Sequence, residues 1–250
     1  MFTQAIVRTP GPDAASGLTT ADLGKPDHAL LLEQHAAYVQ TLTELGLTIT
    51  HLPPLPGHPD AYFVEDTALM FSDCAILTRP GAPARRAEAE AMTETLAKFR
   101  PLHRLTAPAT LDGGDVLVID RKVFVGLSER TNAEGATQLR KFLPGYLVLP
   151  VRVPSGLHLK SSVTDAGDNH LLITRELSTR PEFATHRRIV VPDEETYAAN
   201  ILCLNGVLVM PSGFPKTQAL LEKRQLPMRV LDQSEARKMD GALTCMSLRF

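Results

Sequence analysis

The chain has too few cysteines for a disulfide framework. There are three in 250 residues, an odd number at irregular spacing, which points to a reducing cytoplasm. It also lacks an excess of either charge: 28 Asp and Glu stand against 26 Lys and Arg, a net −2. That balance gives no electrostatic reason to expect nucleic acid or an anionic membrane as partner. Arg85-Arg86 and Arg187-Arg188 are isolated pairs and form no basic stripe. No uninterrupted apolar run is long enough to span a bilayer. Met1-Phe2-Thr3-Gln4 has neither the basic start nor the apolar run of a signal peptide, so none is expected. No Pro/Gly/Ser linker or low-complexity tract divides the sequence. It contains no Cys-x-x-Cys, His-Glu-x-x-His, phosphate-binding glycine loop or dinucleotide fingerprint. The chemistry is therefore left to side chains alone.

At 44% hydrophobic, what remains is an ordinary globular composition, and its order is informative. In Leu111 to Asn132 two apolar runs, Val116 to Ile119 and Val123 to Val125, flank the polar tip Asp120-Arg121-Lys122. Short β-branched runs around a charged tip predict a hairpin. Asp112-Gly113-Gly114 precedes it and a helical pattern from Asn132 to Phe142 follows. The same grammar recurs. Asp66 precedes Thr67–Phe71 and Cys74–Thr78, with a helix through Arg86–Phe99; His158 precedes Ser161–Val163 and His170–Thr174. Asn200 precedes Ile201–Leu204, the Asn205-Gly206 turn and Val207–Met210, with a helix through Thr217–Arg224. Asp240-Gly241 precedes Ala242–Leu248, and the missing half of that unit is supplied by a strand at Phe2–Val7 and a helix at His28–Leu45. A repeat of about 40–50 residues suggests units stacked or set radially, each burying its face on a neighbour. Asp66, Asp112, His158, Asn200 and Asp240 would then converge on one axis. The competing view is an α/β chain without symmetry.

Several residues stand out along this frame. Gly11 to Asp27 is a long irregular loop, a lid or a connection, with Leu18 and Leu23 as its exposed apolar residues. Asp60, Glu65 and Asp66 follow a proline-rich stretch in quick succession, as acids facing a cationic ligand would. Arg85 starts a helix, where the dipole disfavours a cation, and that violation favours a functional role. Cys74 and Cys203 lie inside apolar strand patterns and read as packing. Cys245, placed in the last strand, gains weight from company, because a thiol needs a base and an orienting acid to become a useful nucleophile. His158, between Leu157 and Leu159, is the best partner, with Asp112 at the equivalent position of its own unit.

These residues carry a resemblance. Phe63-Val64-Glu65-Asp66, Thr78-Arg79-Pro80-Gly81-Ala82, Leu111-Asp112-Gly113-Gly114-Asp115-Val116, Ser128-Glu129-Arg130-Thr131-Asn132, Leu157-His158-Leu159-Lys160-Ser161 and Asp240-Gly241 through Cys245 run in order over nearly the whole sequence. With them the chain closely resembles the dimethylarginine dimethylaminohydrolase family of the guanidino-modifying (amidinotransferase and deiminase) superfamily. The resemblance implies an α/β fold, a five-bladed propeller of ββαβ units (pentein), with residues 1–250 as one catalytic domain. It implies Cys245 as nucleophile, His158 as general acid and base, and Asp112 as the acid beside them. Asp66, assisted by Glu65, would hold the guanidinium, and Arg85 and Arg130 the α-carboxylate. Asp60 would hold the α-amine with the backbone carbonyls of Leu18 and Met239, and Asp240 would stand beside them. Some bacterial relatives carry Glu where this chain has Asp112; the shorter acid keeps the charge and changes the reach.

The implied reaction is hydrolysis of a methylated arginine to citrulline and a methylamine through a covalent thiouronium on Cys245. Carboxylates orient the poorly electrophilic guanidinium, and its charge in turn favours a thiolate. No metal or organic cofactor is expected. The expected partner is the small-molecule substrate, with no nucleic acid or membrane, a homodimer being left open. Two alternatives remain: another amidino hydrolase of the arginine deiminase or citrulline hydrolase type, and a non-catalytic propeller module. The common arginine deiminases carry an additional helical region, which favours the compact enzyme.

Overall fold

The computed structural model describes residues 1–154 and 156–250. They form five three-stranded sheets, the blades of a five-bladed α/β propeller. The second blade contains β3 (Ala68–Met70), β4 (Ala75–Leu77) and β5 (Leu102–Arg104). The third contains β6 (Val116–Ile119), β7 (Lys122–Leu127) and β8 (Leu147–Arg152). The fourth contains β9 (Val163–Asp165), β10 (His170–Ile173) and β11 (Arg187–Val190), and the fifth β12 (Leu202–Leu204), β13 (Val207–Pro211) and β14 (Met228–Leu231). In each, an antiparallel hairpin is followed by a crossover to a parallel outer strand. The first blade is closed circularly: β1 (Gln4–Arg8) pairs parallel with β2 (Thr48–Leu52) and antiparallel with β15 (Leu248–Arg249). Inner strands of successive blades touch, β15 beside β3, β6 beside β9 and β9 beside β12.

The core is not one mass but five wedges, each shared by two neighbouring blades. Side chains alternate across a strand, so each central strand feeds two wedges. Val123 and Val125 of β7 pack with Leu69 and Ile76 of the second blade, whereas Phe124 packs with Leu171 and Ile173 of the fourth. Ala5 and Val7 of β1 face the fifth blade, and Ile6 faces the second. This double burial is why the central strands read as unbroken apolar runs.

The hairpins and the helices His28–Glu44, Ala133–Phe142 and Pro215–Glu222 match the sequence reading within a few residues. The Asp27 carboxylate caps the first, accepting from the amides of Ala29 and Leu30, and Asn132 caps the second. Two expectations are corrected. The helix expected across Arg86–Phe99 is broken into Arg86–Glu90 and Thr93–Ala97. The strand expected from Ala242 to Leu248 shrinks to β15, because the Cys245 amide donates to the Ala242 carbonyl at 3.1 Å and the chain turns there. No helix among the described residues is long and apolar enough to cross a membrane.

Phe124, fully buried beside Phe183 with ring centroids 5.0 Å apart, sits in a wedge that cannot collapse without moving a blade. Phe124→Ala should cost about 3–5 kcal/mol in urea unfolding at unchanged m. Val118→Thr, on an exposed face, should stay within about 0.5 kcal/mol.

Candidate active site

Four blades present their first strand through a 3-10 segment, a single turn in three of them and a longer, kinked one in the fourth. These are Val64–Thr67, Gly113–Asp115, Leu159–Ser161 and Asp193–Ala199, and they place Asp66, Asp112, His158 and Asn200 at the strand mouths. The fifth mouth is the turn holding Cys245. Asp66, His158, Asn200, Asp240 and Cys245 line one narrow cavity of about 40 Å³, and Asp112 lies directly behind His158.

Asp66 is the hub. Its Oδ2 is 2.5 Å from Arg85 Nη1, its Oδ1 accepts the Gly114 amide at 2.9 Å, and His158 Nε2 is 3.9 Å from Oδ1. Burial alone would raise this carboxyl, but His158 and Arg85 outweigh it and hold it at about 2. His158 Nε2 donates to Asp112 Oδ2 at 3.0 Å. Burial would strip the imidazole of its proton. Asp66, the bond to Asp112, and Asp115 reverse that and raise it to about 9. The histidine is thus an imidazolium at neutral pH. Asp112 is in turn fixed by the Gly81 amide on Oδ1 at 2.8 Å. Gly114 must lack a side chain, since a Cβ there would stand 2.6 Å from His158 Nδ1.

The Cys245 thiol is pushed up to about 12, by burial first and then by Glu65 and Asp66. Glu65 does not line the cavity as the sequence reading implies. Its Oε1 binds Lys160 Nζ at 2.6 Å and Arg249 Nη2 at 2.8 Å, and its Oε2 accepts from Thr244 Oγ1 at 2.7 Å. With its oxygens taken, it stands behind the lining residues that it binds. Lys160 and Thr244 do line the cavity.

Arg85 is buried, and four of its five N–H groups are engaged: Nε by Glu88 at 2.9 Å, Nη1 by Asp66, and Nη2 by the carbonyls of Asp60 and Phe63. This resolves the oddity of an arginine at a helix start. It also leaves one N–H for a ligand in place of the fork expected. Burial and only then the neighbouring acids push Glu88 up to about 7 against the pull of Arg85. The Arg130 guanidinium makes no hydrogen bond to the described residues and lines the cavity beside Asp60. Both Asp60 oxygens accept the Leu18 amide at 3.1 Å, and Thr20 donates to Asp240 from its amide at 2.5 Å and its hydroxyl at 2.9 Å. The Gly11–Asp27 loop therefore closes the cavity, with Leu18 and Met239 in its wall.

Of the eleven expected site residues, all but Glu65 and Asp112 line the cavity, and those two bond to residues that do. Lys160, Thr244, Glu88 and Asp115 were missed as site residues. A buried lysine or glutamate is visible in sequence only if its partner is known, and Glu65–Lys160 and Arg85–Glu88 are partners only in the fold. Among the described residues, Asp66, Asp112 and His158 have ligand atoms close enough for a metal ion, within 4.8 Å. An ion there would have to displace the proton His158 shares with Asp112.

The profile of the family described as N,N dimethylarginine dimethylhydrolase, eukaryotic, matches residues 24–191. The chain is 43% identical to the N(G),N(G)-dimethylarginine dimethylaminohydrolase of Pseudomonas aeruginosa over 254 residues, covering 100% of both. It is 40% identical to the Streptomyces coelicolor protein of the same name, over 98% of this chain and 96% of that one. The structure matches a mutant of the Pseudomonas aeruginosa protein complexed with citrulline, with a TM-score of 0.98, 42% identity and complete coverage of both chains. The N-terminal domain of a cyanobacterial arginine dihydrolase, at 18% identity and a TM-score of 0.87 over 100% of this chain and 98% of that one, shares the fold.

A thiol held near 12 should alkylate slowly with a neutral reagent. Iodoacetamide at pH 7.5 should modify Cys245 roughly a thousandfold more slowly than an ordinary exposed cysteine, the rate climbing with pH. Asp66→Asn removes one of the charges that raise the thiol, so the rate should increase. Rapid alkylation of the unvaried protein, mapped to Cys245 by mass spectrometry, would contradict the assignment.

Proposed function

The chain belongs to the dimethylarginine dimethylaminohydrolase family, and on that premise we propose that it hydrolyses N(omega)-methylated L-arginines to L-citrulline and the corresponding methylamine. The observation that carries this reading is Asp66, a buried carboxylate kept ionised in the same cavity wall as the Cys245 thiol and the His158 imidazolium. A guanidinium bound against Asp66 brings the positive charge that Cys245 lacks. The thiol then gives its proton up to solvent, and the Sγ thiolate attacks the guanidino carbon. His158, already protonated, delivers its proton to the leaving amine, and the carbon–nitrogen bond breaks to leave a thiouronium on sulfur. The neutral imidazole takes a proton from water as the hydroxyl adds to the carbon. The sulfur–carbon bond then breaks and citrulline departs. Asp112 holds the ring to this task. No step calls for a cofactor.

Arg130 offers its unoccupied fork to the α-carboxylate, with the remaining N–H of Arg85 as a second contact. Asp60 and the carbonyls of Leu18 and Met239 take the α-amine. Entry requires the Leu18–Asp60 and Thr20–Asp240 bonds to part, since they hold the Gly11–Asp27 loop across the cavity. The reading takes residues 1–250 as one catalytic domain acting on a small amino acid in the cytoplasm. A homodimer is an extension of it that sedimentation tests.

Incubation with asymmetric dimethylarginine should yield citrulline and dimethylamine in equal amounts. Comparable turnover of arginine would move the assignment to a deiminase. Arg130→Ala should raise KM for dimethylarginine by about 10–100-fold and leave an alkylguanidine without a carboxylate nearly unaffected. Arg85→Ala should impair both, because Arg85 also holds Asp66. His158→Ala should stop turnover yet still form a covalent adduct on Cys245 with a small amidine whose leaving group needs no proton. A folded His158→Ala protein that fails to react would mean that histidine ionises the thiol.

A further inference from the structure

Three residues after Asp112, the same turn carries a second acid that takes no place in the cavity wall. Asp115 is 0% exposed, like Asp112, and its two oxygens face two different functional segments. Oδ1 accepts the Leu159 amide at 2.8 Å, one residue beyond His158, and Oδ2 accepts the Ser128 hydroxyl at 2.6 Å. Ser128 Oγ in turn accepts the amides of Arg130 at 3.0 Å and Thr131 at 3.2 Å. The Thr131 hydroxyl accepts the Asp112 amide at 3.1 Å, which closes the circuit. Room for the carboxylate is made at Gly126, the second-last residue of β7. A Cβ there would stand 2.6 Å from Asp115 Oδ1 and 2.8 Å from Leu159 Cβ, and a strand interior otherwise disfavours glycine.

We propose that Asp115 is a positioning residue for the reaction put forward above: it ties the His158 turn to the Arg130 loop, so that the proton-transfer group and the carboxylate anchor share one frame. The inference rests on that reading of function for its kinetic consequence, but not for the geometry itself. The division between the two oxygens gives it content. Oδ1 governs His158, through the backbone of its neighbour and through charge; Oδ2 governs Arg130, through Ser128. His158 is faced by Asp66 from the Val64–Thr67 turn, by Asp112 and Asp115 from their own turn, and by the cavity groups Lys160 and Cys245. Asp112 hydrogen-bonds the ring at 3.0 Å and Asp66 pairs with it at 3.9 Å, whereas Asp115 does neither, so its charge can be removed without breaking a contact of the imidazole.

The test compares unvaried enzyme, Asp115→Asn and Ser128→Ala. One readout is the imidazole titration of His158, followed by proton–carbon NMR and assigned by its loss in His158→Gln. The other is steady-state kinetics with dimethylarginine. Asp115→Asn, nearly isosteric, should lower the His158 titration by about half a pH unit or more and reduce kcat by about tenfold, with KM changed by less than about threefold. Ser128→Ala should do the reverse, raising KM by about fivefold while leaving kcat and the titration in place. An unmoved titration together with an unchanged kcat in Asp115→Asn overturns the proposal, and so does an unchanged KM in Ser128→Ala, which stands should the Asn variant not fold. The titration needs no turnover, so an unvaried enzyme that forms no citrulline defeats the reading of function separately.

Discussion

A carboxylate taken out of water must be matched by positive charge and hydrogen bonds, or it takes up a proton. Asp66 is where this chain meets that constraint. It is matched from one side by an arginine and from the other by a histidine, with a backbone amide from a third segment. Each partner brings its own obligations. Arg85 requires Glu88 and two carbonyls, and His158 requires Asp112, which requires Gly81. The blades carrying these groups cannot shift independently without leaving a charge stranded.

The same network divides labour by protonation. An acid held at about 2, an imidazole raised to about 9 and a thiol pushed to about 12 mean that the cavity keeps its imidazole protonated and its thiol dormant. The thiol is silenced by burial first and then by Glu65 and Asp66, and Asp66 is also the carboxylate suited to binding a cation. One electrostatic arrangement therefore serves both restraint and recognition, because only a cationic ligand relieves it.

The sequence disclosed the features that follow local rules. Central strands buried on both faces are apolar throughout, and Asp112 and His158 stand at strand mouths where packing gives no reason for them. It concealed the outer strands β2, β5, β8, β11 and β14, most of whose residues are exposed or half-buried, so that only the run Leu147-Val148-Leu149 of β8 offered a hydrophobic signal. It also misdrew the surroundings of Cys245, whose apolar neighbours suit a strand but enclose a turn. Glu65 looked like a ligand contact because it adjoins Asp66. In a tight turn adjacent side chains diverge, and Glu65 faces Lys160 and Arg249. Long-range ion pairs leave no local pattern, so no reading of one sequence finds them.

The closing of the first blade by β15 has a consequence for how the enzyme comes into being. The strand that completes the ring is the last in order, and Cys245 lies three residues before it. The Glu65 amide donates to the Cys245 carbonyl, and the Arg249 side chain reaches Glu65, so the thiol reaches its acidic surroundings only as the circle shuts. Asp66, Asp112 and His158 sit on blades that do not include β15, so opening the ring at the β1–β15 pairing would take Cys245 away from them while their own bonds stayed in place.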